Sequence, residues 1–326
     1  MSELTARRGE LDGFETIEIA TGALALVAIP ALGGKISSLR DTRSGREWLW
    51  RHPRMPYRRV PHGSSYVQLA DTGGWDECFP SVSGCAYPSP PWAGTAVQDH
   101  GELWSQTAEC WLGKRGDTLV LHTRWQGVAL PYRFERAIAL TAGSAAMAIE
   151  YGVTNIGDAP LEYIWCAHAL LAIEPGMRLL ASEQARFHRL AFAPQLVHDH
   201  DVGFPFAIEG RAGPTDLCEL PEPEAGLALK LWSEPLPAGA GWAAVRAHDG
   251  ELNMRWDVAE LPQLAVWMNL GGWAGDGDAP YYNLGLEPCI GAQDSLAEAV
   301  RDYRLFASVP PRATTTWRLE VELRVQ

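Results

Sequence analysis

The sequence predicts an all-β chain folded as one large antiparallel β-sandwich. Short apolar or alternating runs recur along its length, turn residues separate them, and no comparable series of helical periods appears. The runs are FETIEI from Phe14, LALVAI from Leu24, TLVLHTRW from Thr118, YRFERAIAL from Tyr132 and AAMAIEYGVTN from Ala145. They continue with EYIWCAHALLAI from Glu162, LALKLW from Leu227, WAAVRA from Trp242, QLAVWMNL from Gln263 and TTWRLEVEL from Thr315. Successive strand side chains point to opposite faces, so alternating runs fit half-buried strands and continuous apolar runs fit strands covered on both sides. TNIGDAP after Tyr151, DTRSG after Arg40 and GKRGD after Leu112 are the Gly/Asp/Asn/Pro breaks that hairpins need. One helix is expected, over DSLAEAV from Asp294 to Val300, with Asp294 or Ser295 as its cap. Two stretches read as irregular, Arg51 to Trp92 and Pro194 to Glu224, and long loops inside a compact domain often carry function. Neither resembles a linker and no internal repeat is present, so residues 1–326 are expected to form a single domain.

Composition narrows the function classes. Hydrophobic residues at 47% and charged residues at 21% are the balance of a chain that buries a core. A formal net charge of -13 disfavours nucleic acid and anionic membrane surfaces as partners and leaves a small molecule. The six cysteines contain no C-x-x-C pair, so no zinc knuckle or dithiol motif is read. The N-terminus has no apolar leader-like stretch and the longest apolar run, near Ala23 to Leu32, is too short to span a bilayer; a cytoplasmic location is expected. Fourteen tryptophans are many for this length. Trp75, Trp92, Trp104, Trp267 and Trp273 fall in Gly- and Pro-rich surroundings, where an indole face suits a sugar ring as well as a core.

Three titratable residues stand where the pattern calls for apolar ones. His100 precedes Gly101 in AVQDHGELW, His168 interrupts the buried run EYIWCAHALLAI, and Glu287 follows an apolar run in YYNLGLEPCIG. Two histidines and a glutamate are groups suited to proton transfer near neutral pH. The loop GGWDECFP from Gly73 reads equally as a tight aromatic turn and as a binding loop. His and Asp also alternate at His198 to Asp201, where a solvated turn is a simpler reading than a metal site.

Several motifs, taken in order, resemble the galactose mutarotase-like (aldose 1-epimerase) superfamily. They are ALGGKISSLRDTRSGREWLW from Ala31, GGWDECFPSVSG from Gly73, HGELW from His100, AHALLAI from Ala167, and VWMNLGGW from Val266 running on to GLEPCIG. The resemblance covers nearly the whole chain, is nearest to the hexose-phosphate mutarotase-like branch, and implies a large antiparallel supersandwich. It also implies an isomerase that interconverts the α and β anomers of a free aldose without metal or organic cofactor. By position, His168 would be the acid at the ring oxygen, Glu287 the base on the anomeric hydroxyl, and His100 a ligand of sugar hydroxyls or an aid to the acid. Opening a pyranose removes a proton from O1 and delivers one to O5, which an imidazolium and a carboxylate facing each other can do.

The chain departs from that pattern in two places. Trp75, Asp76 and Glu77 stand where galactose mutarotases carry an Arg, and Glu102, Leu103 and Trp104 replace the Phe-Ala-Arg run of the hexose-phosphate branch. A non-phosphorylated sugar is therefore expected, with Trp75, Asp76, Glu77, His100, Trp104 and Asn269 as contacts. Asp216, Asp257 and Asp276 are candidates for a further binding aspartate. Rival readings are a noncatalytic sugar-binding or sensor protein and a carbohydrate-cleaving enzyme; the latter normally needs two placed carboxylates.

Overall fold

A computed structural model of the protein describes residues 4–191, 202–204, 207–210, 213–275, 277 and 279–325. Its strands form two large antiparallel sheets, one of eleven strands and one of eight. The larger sheet starts at one edge with a meander of Thr5–Leu11, Phe14–Ala20, Leu24–Ile29 and Lys35–Asp41. It continues through Trp75–Cys78, Trp165–Ala172, Tyr282–Ile290, Gln263–Leu270, Leu227–Ser233, Arg186–Ala191 and Val202–Gly203. The smaller sheet runs Arg178–Ala181, Trp242–Arg246, Gly250–Arg255, Thr314–Val325, Ala146–Asn155, Tyr132–Thr141, Thr118–Gln126 and Glu109–Arg115. The middle of the larger sheet thus brings together segments from distant parts of the chain, and the site is built there.

Strand periodicity explains the packing. Tyr132–Thr141 alternates buried and half-buried residues without interruption, so Tyr132, Phe134, Ile138 and Leu140 enter the core while Arg133 and Glu135 stay outside. Trp125, Phe134, Tyr151, Trp165 and Trp317 meet ring against ring between the sheets. Each such buried aromatic contributes roughly 1.5–3 kcal/mol of transfer free energy. Trp165–Ala172 is buried along nearly its entire length because loops cover its outer face as the second sheet covers its inner one. That double cover is why its sequence reads as a continuous apolar run, and why one histidine in it stands out.

Every run read as a strand lies in one, with one correction: EYIWCAHALLAI is two strands, Leu161–Tyr163 and Trp165–Ala172, in different sheets. The expected helix is a short α-helical turn, Leu296–Glu298, running into a π-helical turn, Ala299–Tyr303. Its cap is the Ser295 hydroxyl, which accepts from the amide of Glu298. Among the described residues no helix is long and apolar enough to cross a membrane, and no group of three or more His, Cys, Asp or Glu is placed to hold a metal ion. The His198 to Asp201 run and Asp276 lie outside the described residues.

Candidate active site

Four adjacent strands of the larger sheet set the floor of a cleft. His168 stands opposite Asp76 across one strand pair, and Ala169 pairs with Leu286 across the next. The ladder leaves a gap between Cys166–Cys289 and Ala169–Leu286, where His168 faces Glu287. Pro288, which lacks an N–H, occupies the same gap. The strand therefore does not stop at Glu287 but passes through Pro288 to Ile290 and carries the carboxylate inside. Gly285 makes room for it, since a Cβ there would stand 2.5 Å from Glu287 Oε1.

Glu287 has no exposed surface. Its Oε2 forms an ion pair with the ammonium of Lys230, from the run LALKLW two strands away across Gln263–Leu270, and accepts from the Cys166 thiol at 3.5 Å. Its Oε1 has no hydrogen-bond partner and lies 3.9 Å from His168 Nε2. Burial works against the Lys230 ammonium, but Glu287 outweighs it and holds the lysine protonated. For His168, burial acts first, and the positive charges of His100, Lys230 and Lys35 act in the same direction. Its pKa is pushed well below 6.5 and the imidazole is neutral.

Loops supply the other wall, and the irregular stretch from Arg51 onward provides much of it. His100 stacks on Tyr66 with ring centroids 3.9 Å apart, and its ring lies nearly perpendicular to that of His168 at 5.0 Å. Burial again disfavours the charged form, but the Asp99 carboxylate, 3.1 Å from His100 Nδ1, more than offsets it and holds the pKa at about 9. The two histidines thus carry opposite protonation at neutral pH. The HG pair has a steric reason: both residues adopt positive φ, and a Cβ at Gly101 would collide with the Phe79 carbonyl oxygen. Gly101→Ala is expected to cost about 1–3 kcal/mol and to unseat His100, which thermal unfolding checks directly.

Val67, Asp71, Val82, Ser83, Asp99 and Asp294 complete the loop side, opposite His168, Leu170, Lys230, Trp267, Trp273 and Asn283. The cleft holds about 840 Å³ of empty space including its mouth, which lies within the usual range for small-molecule sites. Several of its polar atoms have no protein partner: His168 Nδ1, Asp71 Oδ1, Asp294 Oδ1, and both amide atoms of Asn283. Buried polar groups are normally satisfied, so this concentration marks groups that water or a polar ligand would complete. Trp267 and Trp273, edge to face at 5.6 Å, add apolar faces to the same cleft.

The expected contacts divide. His100 and His168 line the cleft, with Glu287 directly behind His168 and Lys230. Asp76 lies on the same sheet face, where it pairs with Lys35 and accepts from the Tyr66 hydroxyl at 2.8 Å. Trp75 and Glu77, one position to either side of it, point through the sheet into the sandwich. There Glu77 accepts from Arg136, Tyr151 and Trp165, and burial pushes its pKa to about 7 against the pull of Arg136. Trp104 gives its indole N–H to the Asp99 carbonyl and borders a smaller cavity beside Lys35, so it is a support and not a stacking face. Asn269 uses both amide atoms on the backbone of Trp273, and its cross-strand neighbour Asn283 is the amide facing the cleft. Glu102 bonds the Val128 and Ala129 amides and the Tyr132 hydroxyl, so its charge does not face a substrate. Asp216 bonds the Cys218 amide and Asp257 caps a turn at Ala259; neither lines the cleft, whereas Asp71, Asp99 and Asp294 do.

No protein-family model matches the sequence, and no curated protein matches it. Solved structures do match. A galactose mutarotase-like protein from Clostridium acetobutylicum superposes with a TM-score of 0.68 at 12% identity over 99% of both chains. A galactose mutarotase-like protein from Lactobacillus casei gives 0.59 at 14% identity, over 95% of this chain and 100% of that one. A TPR-domain containing protein from Parabacteroides distasonis gives 0.67 at 12% identity over 95% of this chain, but only 47% of its own longer one. Identities this low speak for architecture alone, and the architecture is unambiguous: this chain has the galactose mutarotase-like β-sandwich fold.

Proposed function

We propose that the protein is a sugar mutarotase, an aldose 1-epimerase-like isomerase acting on a free, non-phosphorylated aldose. The observation that carries this reading is the pair of cleft imidazoles 5.0 Å apart, one held protonated and the other neutral, each backed by a carboxylate. Both O1 and O5 are bonded to C1 of a pyranose, so the group that takes one proton and the group that gives the other must stand close together. His168 accepts the proton from the O1 hydroxyl as C1=O1 forms and the C1–O5 bond breaks. His100 delivers its proton to O5. Rotation about the C1–C2 bond and the reverse transfers close the other anomer.

This division shifts the roles that the resemblance implies, the base from Glu287 to His168 and the acid from His168 to His100. Glu287 lies behind His168 with no exposed surface, so it acts on substrate through His168, stabilising the imidazolium as it forms. His100, the protonated histidine, takes the acid role.

One-dimensional NMR exchange on a panel of free sugars tests the reading, since it reports directly whether the anomers interconvert faster with protein present. The pH dependence of kcat/KM follows from the two shifts. His168 must be unprotonated, and its depressed pKa places the acid limb below pH 6.5. His100 must be protonated, and the rate falls as pH rises through about 9. In Asp99→Asn the alkaline limb is expected to move to lower pH, because Asp99 is the charge that holds His100 up. A limb that stays in place would exclude His100 as the acid.

A further inference from the structure

The charges of the cleft do not balance. Its cations are each matched by a carboxylate of their own: Lys230 by Glu287, Lys35 beside the cleft on the same sheet face by Asp76, and His100 by Asp99. Two carboxylates remain, Asp71 and Asp294, and both line the loop wall. Among the described residues no Lys, Arg or His stands within ion-pair distance of either. Asp71 is only 5% exposed, and each of the two keeps one buried oxygen without a hydrogen-bond donor. Burial pushes Asp71 up to about 6 and raises Asp294; the more distant positive charges, His100 and Lys35 for Asp71 and Lys230 and His100 for Asp294, oppose that rise without cancelling it. The amide of Asn283, fully buried and without partners, faces the same space and can order a neighbouring hydroxyl.

A buried carboxylate, Asp71, and a half-buried one, Asp294, without an ion-pair partner are costly unless a ligand completes them. A sugar hydroxyl donates one hydrogen bond to such an oxygen but leaves its negative charge uncompensated, whereas an ammonium donates the bond and also supplies the missing positive charge. A phosphate or uronate would meet the same oxygens as like charges.

We propose that the cleft selects an aldose bearing a protonated amino group, an amino sugar, whose ammonium supplies the counter-charge that Asp71 and Asp294 lack. The inference rests on the mutarotase reading for its site but not for its logic, because charge selection governs binding whether or not anomers exchange.

The test measures binding by calorimetry and anomer exchange by NMR on one panel at pH 7: glucosamine, galactosamine, N-acetylglucosamine, glucose and glucose 6-phosphate. N-acetylation keeps the substituent and removes its charge. The amino sugars are expected to bind and exchange about tenfold or more better than glucose and N-acetylglucosamine. Glucose 6-phosphate is expected to be the weakest. In Asp71→Asn and Asp294→Asn the ratio of glucosamine to glucose affinity is expected to fall towards one. Because that ratio is taken within one folded variant, a general loss of stability does not imitate it. If glucose, its N-acetylated analogue or its 6-phosphate binds as well as glucosamine, the charge selection is overturned while the mutarotase reading stands. If glucosamine binds preferentially and no sugar exchanges, the mutarotase reading fails and the charge selection stands.

Discussion

His168→Asn is expected to slow anomer exchange by about 10²–10⁴-fold while leaving sugar affinity within a few fold. The side chain lines the cleft, its Nδ1 has no protein partner, and its neighbours bias it towards the neutral form that accepts a proton. Asparagine keeps a polar group at the same place on the strand but cannot take up a proton near neutral pH. His100→Asn is expected to give a loss of the same order and to abolish the alkaline limb of the pH profile, which His168→Asn leaves in place if any rate remains. Single-turnover NMR rates beside calorimetric affinities separate the kinetic effect from binding. Collapse of binding and thermal stability together in His168→Asn would mark that residue as a core histidine instead.

Glu287→Gln is expected to destabilise the fold by about 3–5 kcal/mol, on the order of 5–10 °C in Tm, because it leaves the buried Lys230 ammonium without its partner. A carboxylate kept for catalysis alone would be removable without such a cost, so the ion pair changes what this variant reports. Lys230→Met should cost a similar amount, since it strands the carboxylate. The double variant Lys230→Met/Glu287→Gln should recover much of the loss, because removing both members of a buried pair is often nearly neutral. Its activity is the informative quantity: with stability restored, a rate still well below wild type assigns Glu287 a part in proton transfer through His168. A rate close to wild type would confine the pair to a structural role.

The strand framework was legible because period-2 patterning and turn residues survive in most segments. His100 was legible because it stands in the HG pair of the motif HGELW, and His168 because it breaks an apolar run. Lys230 carried the same signal in LALKLW, a lone charge inside a continuous buried run, and was the residue most open to being found. The direction of WDE was not legible. Alternation says that Asp76 opposes Trp75 and Glu77, but not which face is the cleft. Asp71, Asp99 and Asp294 sit in loops, where side-chain direction follows tertiary placement and no period marks it. Asp294 and Ser295 both read as possible helix caps, and it is Ser295 that caps.

The two halves of the site differ in kind. Asp76, His168, Glu287 and Lys230 are spaced by strand pairing, so their separations follow an interstrand ruler that loop changes do not move. Tyr66, Asp71, His100 and Asp294 arrive on connections between strands, which tolerate exchange. Changes in the connections around His100 can therefore reshape the cleft's lining while the sheet-borne side of the site stays in place. A designer can do the same, grafting new loops over an unaltered sheet.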